Sequence, residues 1–226
     1  MPTPKQDQSS LTNTRLWDFA AAVPLVVLCL LAAIGFAITI HRQWPSVFNL
    51  PNGLRIGSEF ASAIFLLLEA VMLCIRRLPV SKASGIAPRL WAIVGANFTY
   101  LLLLLPRVLP TPMEALASSV LLLIGTAGSI LTLTWLGRSF AILPQAREMV
   151  TTGPYKFVRH PLYLAGQIST FGIALQFLQP WGMLIVLAGF ALQFPRMRYE
   201  EAILTASFPA YREYAARTAR IIPFLY

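Results

Sequence analysis

Two polar stretches in the second half of the chain contain most of the side chains that could do chemistry. The first covers residues 138–163 and the second covers residues 196–214. A pocket built from a carboxylate, cations and phenol groups can bind a ligand with charged ends, because carboxylates bind ammonium groups and guanidinium groups bind anions. The candidate residues are Tyr155, Arg159, His160, Tyr163, Arg196, Glu200 and Glu201.

Local spacing indicates how some of these side chains are presented. Arg196 and Glu200 are four residues apart and therefore share one face of a helix, whereas Glu201 points about 100° away. His160 directly precedes a proline, which disfavours helical backbone, so we expect its side chain to emerge from a turn. A lone Arg/Glu pair of this spacing is usually a solvated surface pair. The functional interpretation therefore depends on the whole cluster.

The composition assigns the chain to the membrane. Of its 226 residues, 57% are hydrophobic and 12% are charged, against roughly 45–50% and about 25% in soluble domains. The net charge of +9 comes from few charged residues, which favours membrane topology over nucleic-acid binding. Cys29 and Cys74 lie in apolar runs without a CxxC or Cys/His cluster, so the sequence predicts neither a metal site nor a disulfide framework.

The apolar runs predict an all-α polytopic membrane protein with six transmembrane helices, since about 20 apolar residues cross a bilayer as a helix. Residues 162–195 are an uncharged run of 34 residues, about 51 Å as one helix and too long for a core of roughly 30 Å. Gln179-Pro180 lies near its middle, so we expect a hairpin of two helices. The four earlier spans are residues 19–40, 59–75, 90–105 and 115–137.

The basic residues predict the orientation. With a cytoplasmic amino terminus, 15 of the 18 Lys and Arg residues lie on the cytoplasmic side and only Arg42, Arg55 and Arg107 lie opposite. The chain then divides into a polar segment 1–18, a four-helix region 19–137 and a region 138–226 that contains the hairpin 162–195 and a cytoplasmic carboxyl-terminal helix. We expect Ile221-Ile222-Pro223 to end that helix. Both ends of the hairpin meet at the cytoplasmic surface, which brings the candidate residues together.

Glu69 is a further ionisable residue inside a predicted span. An intramembrane carboxylate that faces the interior of the helix bundle is a candidate ligand or relay group. Arg76 and Arg77 near the end of the same helix offer an ion pair instead, and we favour that pairing.

Taken together, these motifs are more specific than any one residue. The isoprenylcysteine carboxyl methyltransferase family, which is related to the phospholipid methyltransferases, has a signature that closely resembles Val150-Thr-Thr-Gly-Pro-Tyr-Lys-Phe-Val-Arg-His-Pro-Leu-Tyr163. A second part of the signature is similar to Arg196-Met-Arg-Tyr-Glu-Glu201. The resemblance covers residues 138–223, with an apolar insert of hairpin length between the two motifs.

The resemblance implies an integral membrane enzyme that transfers a methyl group from S-adenosylmethionine to a lipophilic acceptor. It also implies a cofactor pocket formed by the carboxyl-terminal helices on the cytoplasmic side. Arg196 matches a position linked to the methyl acceptor, and Arg196 and Glu200 are the expected catalytic residues. At position 147 the eukaryotic members have a His. Carried over by motif, the expected cofactor-binding residues are Arg147, Val150, Gly153, Tyr155, His160, Pro161, Tyr163, Glu200 and Glu201.

Several alternatives stay open at this stage. A membrane reductase of the steroid-reductase kind, with a nicotinamide cofactor, has a broadly similar helical carboxyl-terminal region. A non-enzymatic transporter is a further alternative, although the sequence shows no inverted repeat. The acceptor could be an isoprenylcysteine-like carboxylate, another isoprenoid, a lipid amine or a thiol. The short loops favour a bacterial or archaeal plasma membrane, and the sequence predicts no oligomeric state.

Overall fold

The computed structural model describes residues 8–44, 50–106, 108, 111–177 and 179–223. Lys5 and Arg107, which the charge count above uses, lie outside these residues. The described chain is mostly helical, which confirms the all-α prediction. Its helices are α1 (Gln8–Gln43), α2 (Leu50–Ile75), α3 (Ala87–Asn97), α4 (Pro112–Leu136), α5 (Pro161–Ala174), α6 (Trp181–Ser207) and α7 (Tyr211–Arg217).

Four of the described helical segments are long and apolar enough to cross a membrane. They cover Ala22–Gln43, Pro51–Ile75, Ala87–Leu104 and Pro112–Ser139. The third combines α3 with the 3-10 helix Phe98–Leu104. These segments correspond to the first four predicted spans. Helix α1 begins at Gln8. Part of the predicted polar segment 1–18 is therefore helical.

The hairpin is present as two helices, but six spans are not confirmed. Helix α5 has 14 residues, about 21 Å at 1.5 Å per residue, which is short of the roughly 30 Å hydrocarbon core. Helix α6 has 27 residues and continues past Pro195 to Ser207. The charged motif from Arg196 to Glu201 therefore extends the second arm of the hairpin, and no separate helix begins at residue 196.

Local chemistry explains where the elements begin and end. Thr111 and Glu114 form a capping box at the start of α4, which satisfies two backbone N–H groups. The Gln179 side chain donates a 2.7 Å bond to the Ala174 carbonyl at the end of α5. Phe208 is extended because Pro209 follows it, so α6 ends there. The predicted helical tail is thus two helices, and α7 ends at Arg217 instead of at Pro223.

Small residues bring α4 and α5 close together. A Cβ on Gly125 would lie 2.4 Å from the backbone nitrogen of Ser169, and one on Gly172 would lie 2.8 Å from the Ser118 carbonyl. The Ser118 hydroxyl donates a 2.7 Å bond to the Gly172 carbonyl across this contact. Small residues of this kind are typical of helix packing within membranes. The close contact holds α5, the first helix of the hairpin, against α4.

The segment between α4 and α5 crosses the end of the helix bundle. Two short antiparallel strands, β1 (Ser81–Lys82) and β2 (Gln145–Ala146), join it to the segment that follows α2. Arg138 Nε donates to the carbonyl of Ile75, the last residue of α2, over 2.9 Å. These contacts hold the polar segment above the space between α2 and α6.

Candidate active site

A cavity of about 890 Å³ lies beneath the polar segment. This volume is near the upper end of the range of about 300–1,000 Å³ for small-molecule sites. Apolar residues of α1 and α2, including Leu25, Leu28 and Phe65, line one part of it. Charged and hydroxyl groups of the 139–163 segment and of α6 line another part. The cavity therefore suits a ligand, or a pair of ligands, with a polar and an apolar portion.

Tyr163, Arg196 and Glu200 form one connected cluster on this cavity. The Tyr163 hydroxyl donates a hydrogen bond to Glu200 Oε1. Arg196 Nε donates to the same oxygen over 3.3 Å, and its guanidinium lies 5.0 Å from the centre of the Tyr163 ring. Arg196 Nη2 also donates a 2.9 Å bond to the Ile142 carbonyl. The pairing of α5 with α6 that the hairpin predicts thus brings the two motifs into direct contact.

Glu201 faces a different set of partners. His160 Nε2 lies 3.0 Å from Glu201 Oε1, and Arg220 donates to both oxygens over 3.1 and 2.9 Å. Arg159 Nη1 is 3.4 Å away. Although burial raises the pKa of this carboxyl, the hydrogen bonds from His160 and Arg220 outweigh it and lower the pKa to about 2. Glu201 therefore stays ionised and ties the His-Pro turn to the end of the chain.

The backbone after α7 also holds the His-Pro turn. The N–H groups of Arg159 and His160 donate to the carbonyls of Ala219 and Arg220 over 2.8 and 3.0 Å. Val158 and Ala219 form a parallel bridge. Because Pro161 begins α5 directly after this turn, the position of the His160 side chain is fixed on both sides. The sequence motif alone gave no sign of this pairing.

A residue of helix α7 holds the backbone of Tyr155 in place. It lies in the 3-10 helix Gly153–Lys156 and is buried. Tyr214 Oη donates a 2.6 Å bond to the Tyr155 carbonyl. Burial, together with the charge of Glu200, raises the pKa of the Tyr155 phenol. The phenol therefore remains a neutral hydrogen-bonding group at physiological pH.

The structure brings most, but not all, of the candidate residues to the cavity. Among the described residues, the lining includes Arg147, Tyr155, His160, Tyr163, Arg196 and Glu200. Arg147 is buried, and its Nη2 donates to Gln145 Oε1 over 2.7 Å. The residues that we expected at the cofactor but that lie outside the described lining are Val150, Gly153, Pro161 and Glu201.

Three of the residues outside the lining have visible structural roles. Gly153 has a φ of +59°, and a Cβ there would lie 2.1 Å from Trp135 Nε1. Pro161 occupies the first turn of α5, a position that suits its fixed φ. Glu201 anchors the turn as described above. Their cofactor contacts stay predictions, whereas their effect on the position of Tyr155, His160 and Tyr163 is visible in the fold.

Residues of the earlier helices also line the cavity, and the motif comparison did not select them. Glu69 of α2 is among them, and its Oε2 accepts a hydrogen bond of 3.8 Å from the Cys29 thiol of α1. We expected Glu69 to pair with Arg76 or Arg77, which follow the end of α2. For Arg77 this was wrong, because its Nη1 lies 2.8 Å from Glu148 Oε2 instead. The position of Glu69 as a carboxylate within an apolar span is the signal that marks it as a candidate in the sequence. The lining also includes Asn97, Gln167 and Gln193.

A comparison of the chain with known families matches the part of the chain that forms the Tyr163, Arg196 and Glu200 cluster. Residues 115–210 match the family model of phospholipid methyltransferases. Members of this family use S-adenosylmethionine. The matched segment begins within α4 and ends before α7, so it contains both motifs and leaves α1, α2 and α3 outside. The match confirms the resemblance and supports a membrane methyltransferase.

Two curated proteins are similar to about half of the chain. A nickel-cobalt-cadmium resistance protein of Alcaligenes xylosoxydans xylosoxydans is 34% identical over 113 residues, which are 48% of this chain and 52% of the relative. A cobalt-zinc-cadmium resistance protein of Cupriavidus metallidurans is 34% identical over 114 residues, which are 48% of this chain and 51% of the relative. The chain spans about half the length of these curated relatives. Within the described ranges, no group of three or more His, Cys, Asp or Glu residues is placed to hold a metal ion.

Proposed function

We propose that the protein is an integral membrane methyltransferase that moves a methyl group from S-adenosylmethionine to a lipophilic acceptor. The observation that carries the proposal is the Tyr163–Glu200–Arg196 cluster, which borders a cavity that also has apolar walls from α1 and α2. Such a cavity can accept a charged donor at its polar part and an apolar chain from the bilayer at the other. The family match of residues 115–210 supports the same reaction class.

The residues present fit S-adenosylmethionine. The molecule has an ammonium, a carboxylate, a ribose and a sulfonium, and the polar part of the cavity offers a carboxylate, cations and phenols. Glu200 would hold the ammonium, since it is a carboxylate on the cavity wall. Tyr155 and His160 would orient the ribose and the carboxylate, and Arg147 supplies a buried cation nearby. When bound, the cofactor supplies an electrophilic methyl group.

The protein's own contribution is placement and exclusion of water. Transfer of a methyl group needs the acceptor atom in line with the methyl–sulfur bond at near-attack distance. The transfer also benefits from a site that excludes water. Arg196 is fixed by Glu200, by the Ile142 carbonyl and by the Tyr163 ring, so it can maintain the geometry of the cluster between cofactor and acceptor. We further propose that this end of the bundle faces the cytoplasm of a bacterial or archaeal cell.

Binding of the cofactor to the purified full chain tests the proposal. We expect calorimetry in detergent to show micromolar binding of S-adenosylmethionine and S-adenosylhomocysteine, and we expect Glu200→Gln to abolish it. Glu213→Gln is the matched control, because Glu213 pairs with Arg217 on the exposed side of α7 and should leave binding unchanged. Undiminished binding in Glu200→Gln would refute the assignment of this residue. Binding of a nicotinamide nucleotide in place of both ligands would favour the reductase alternative.

A role in metal tolerance is a second candidate, favoured by the 34% identity to two metal-resistance proteins. We propose that such a role would depend on methyl transfer. Expression in a strain sensitive to cobalt and cadmium should raise tolerance with the wild type and not with Glu200→Gln. Equal growth of both strains in the presence of these metals would contradict the link.

A further inference from the structure

The segment between α2 and α3 carries cations that the protein itself does not neutralise. Residues 70–113 contain no Asp or Glu. Arg77, just after α2, lies 2.8 Å from Glu148. The two exposed cations Lys82 and Arg89 form no ion pair with a carboxylate among the described residues. The segment lies outside the part of the chain that matches the family model, and its positive charge is available to an anionic ligand.

Lys82 projects beside an exposed valine. The backbone N–H of Val80 donates to the Ala146 carbonyl over 2.7 Å, and that of Ala83 donates to the Pro144 carbonyl over 3.1 Å. This pairing with the neighbouring strand holds the segment in an extended form. Alternate residues of an extended chain share a face, so Val80 and Lys82 project on the same side. Both are exposed, Val80 by 68%.

Arg89 projects beside an exposed isoleucine at the start of α3. Ile86 is 72% exposed, and Arg89 follows three residues later, so the two side chains lie on one face of the helix. Leu90 and Ile93, each 54% exposed, continue this apolar face along α3. Helix α3 begins the membrane-capable segment Ala87–Leu104. The exposed face of that segment therefore begins at an apolar side chain next to a cation.

The two pairs have the chemistry of a bilayer interface. An apolar side chain there enters the boundary of the acyl chains, whereas a long cationic side chain extends to the phosphate groups. Val80 with Lys82 and Ile86 with Arg89 both occur directly before a helix that is long and apolar enough to cross a membrane. A soluble anion would pair with the two cations and leave Val80 and Ile86 in water. A lipid satisfies both parts.

We propose that Val80, Lys82, Ile86 and Arg89 form an interfacial surface that binds phospholipids of net negative charge. Lys82 and Arg89 contact the headgroup phosphate, and Val80 and Ile86 lie at the boundary of the acyl chains. Lipid binding here does not depend on methyl transfer. Its failure would leave the proposed function standing, and a lack of S-adenosylmethionine binding would leave the interfacial surface standing.

Native mass spectrometry of the full chain in detergent tests the charge preference. We would titrate phosphatidylglycerol and phosphatidylcholine of equal acyl chains and compare their dissociation constants. We expect phosphatidylglycerol to bind at least about tenfold more tightly, because each basic residue near an anionic lipid surface contributes about fivefold in affinity. The double variant Lys82→Gln/Arg89→Gln should lower this preference at least about fivefold. Equal affinity of the wild type for the two lipids would overturn the inference.

A variant with the same change of charge is the control. Arg212 and Arg217 are exposed on α7 and lie outside the interfacial surface. Arg212→Gln/Arg217→Gln should therefore keep the preference for phosphatidylglycerol. An equal fall in both double variants would show that net charge alone sets the preference. That result, or an unchanged preference in Lys82→Gln/Arg89→Gln, would overturn the inference.

Two further measurements separate a lipid from a soluble anion. Ile86→Ser should lower the affinity for both lipids by about threefold or more, since part of an apolar side chain is no longer buried, and Ile86→Leu should bind as the wild type does. An unchanged affinity in Ile86→Ser would overturn the placement of this residue in the bilayer. Soluble glycerol phosphate in large excess should not displace phosphatidylglycerol. Displacement would identify a site for free phosphate and overturn the assignment to lipid.

Discussion

Tyr214 donates a 2.6 Å hydrogen bond from its hydroxyl to the backbone carbonyl of Tyr155, 59 residues earlier in the chain. Both residues are buried. The bond joins the last helix to the 3-10 helix that precedes the His-Pro turn. A residue outside the matched segment 115–210 thereby holds a residue of the candidate site in place.

Replacing Tyr214 with Phe should destabilise the protein and weaken cofactor binding. The Tyr155 carbonyl would lose its partner in a buried position, which costs about 1–3 kcal/mol. Thermal unfolding in detergent and calorimetry with S-adenosylhomocysteine would measure the two effects. Tyr211→Phe is the control, since its ring packs edge-on against that of Tyr214 in the same helix, with 5.6 Å between the ring centres. A fully stable Tyr214→Phe variant would contradict the importance of this bond.

Acidification should destabilise the protein through Glu201. Its pKa is lowered from 4.5 to about 2 in the folded state, so the folded state favours the ionised form. This contribution to the free energy of unfolding is present above the unfolded pKa and is lost as the pH falls from about 4.5 to about 2. The loss should be on the order of a few kcal/mol.

The measurement is the free energy of unfolding as a function of pH for the wild type and Glu201→Gln. The variant should be less stable at neutral pH, because three cationic or polar partners lose their carboxylate. Its stability should change less between pH 4.5 and 2. Parallel curves for the two proteins would show that other groups control the acid response.

Gly153 should not tolerate alanine. A Cβ would lie 2.1 Å from Trp135 Nε1, and the φ of +59° is unfavourable for an L residue. We expect Gly153→Ala to destabilise the protein by about 2–4 kcal/mol, since overpacking adds to the backbone cost. Gly137→Ala separates the two contributions, because Gly137 has a φ of +52° and nothing within 4 Å of its Cβ position. Thermal unfolding of both variants would show equal losses if Trp135 were irrelevant.

The close contact of α4 with α5 should also not tolerate a larger residue at Gly125. In Gly125→Ala the new Cβ would lie 2.4 Å from the Ser169 nitrogen, so the helices must separate. We expect a loss of about 1–3 kcal/mol and a lower affinity for the cofactor, because α5 carries Tyr163. Gly57→Ala on α2, which has open space around its Cβ position, should be neutral or slightly stabilising. Unchanged cofactor affinity in a destabilised Gly125→Ala variant would show that the site does not depend on this contact.

The proposed methyl-donor site should depend on the hydroxyl of Tyr163 as well as on its ring. In Tyr163→Phe the ring beneath Arg196 remains, whereas Glu200 Oε1 loses one of its two donors. We expect the affinity for S-adenosylhomocysteine to fall by about tenfold, which corresponds to one lost charge-assisted bond. Calorimetry would measure this change. A loss as large as that of Glu200→Gln would mean that the hydroxyl contacts the cofactor directly.

The sequence was sufficient where a single local signal decides the structure. The first four apolar runs predicted four helices that are long enough for a membrane, because burial of apolar side chains in lipid depends on length and composition alone. The turn at Gln179-Pro180 and the contact between the motifs at Tyr163 and Glu200 followed from the hairpin. The two motifs also predicted the family whose model residues 115–210 match.

Only the tertiary structure decided which neighbouring groups serve the cavity and which serve the fold. Glu200 and Glu201 are adjacent in sequence, yet one lines the cavity and the other binds His160 and Arg220. Their directions depend on the continuation of α6 past Pro195 and on the strand-like pairing of residues 158–160 with the end of the chain. Glu69 likewise lines the same cavity as Arg196 only because α2 and α6 border one space. Such contacts join residues far apart in the chain, and no local pattern encodes them.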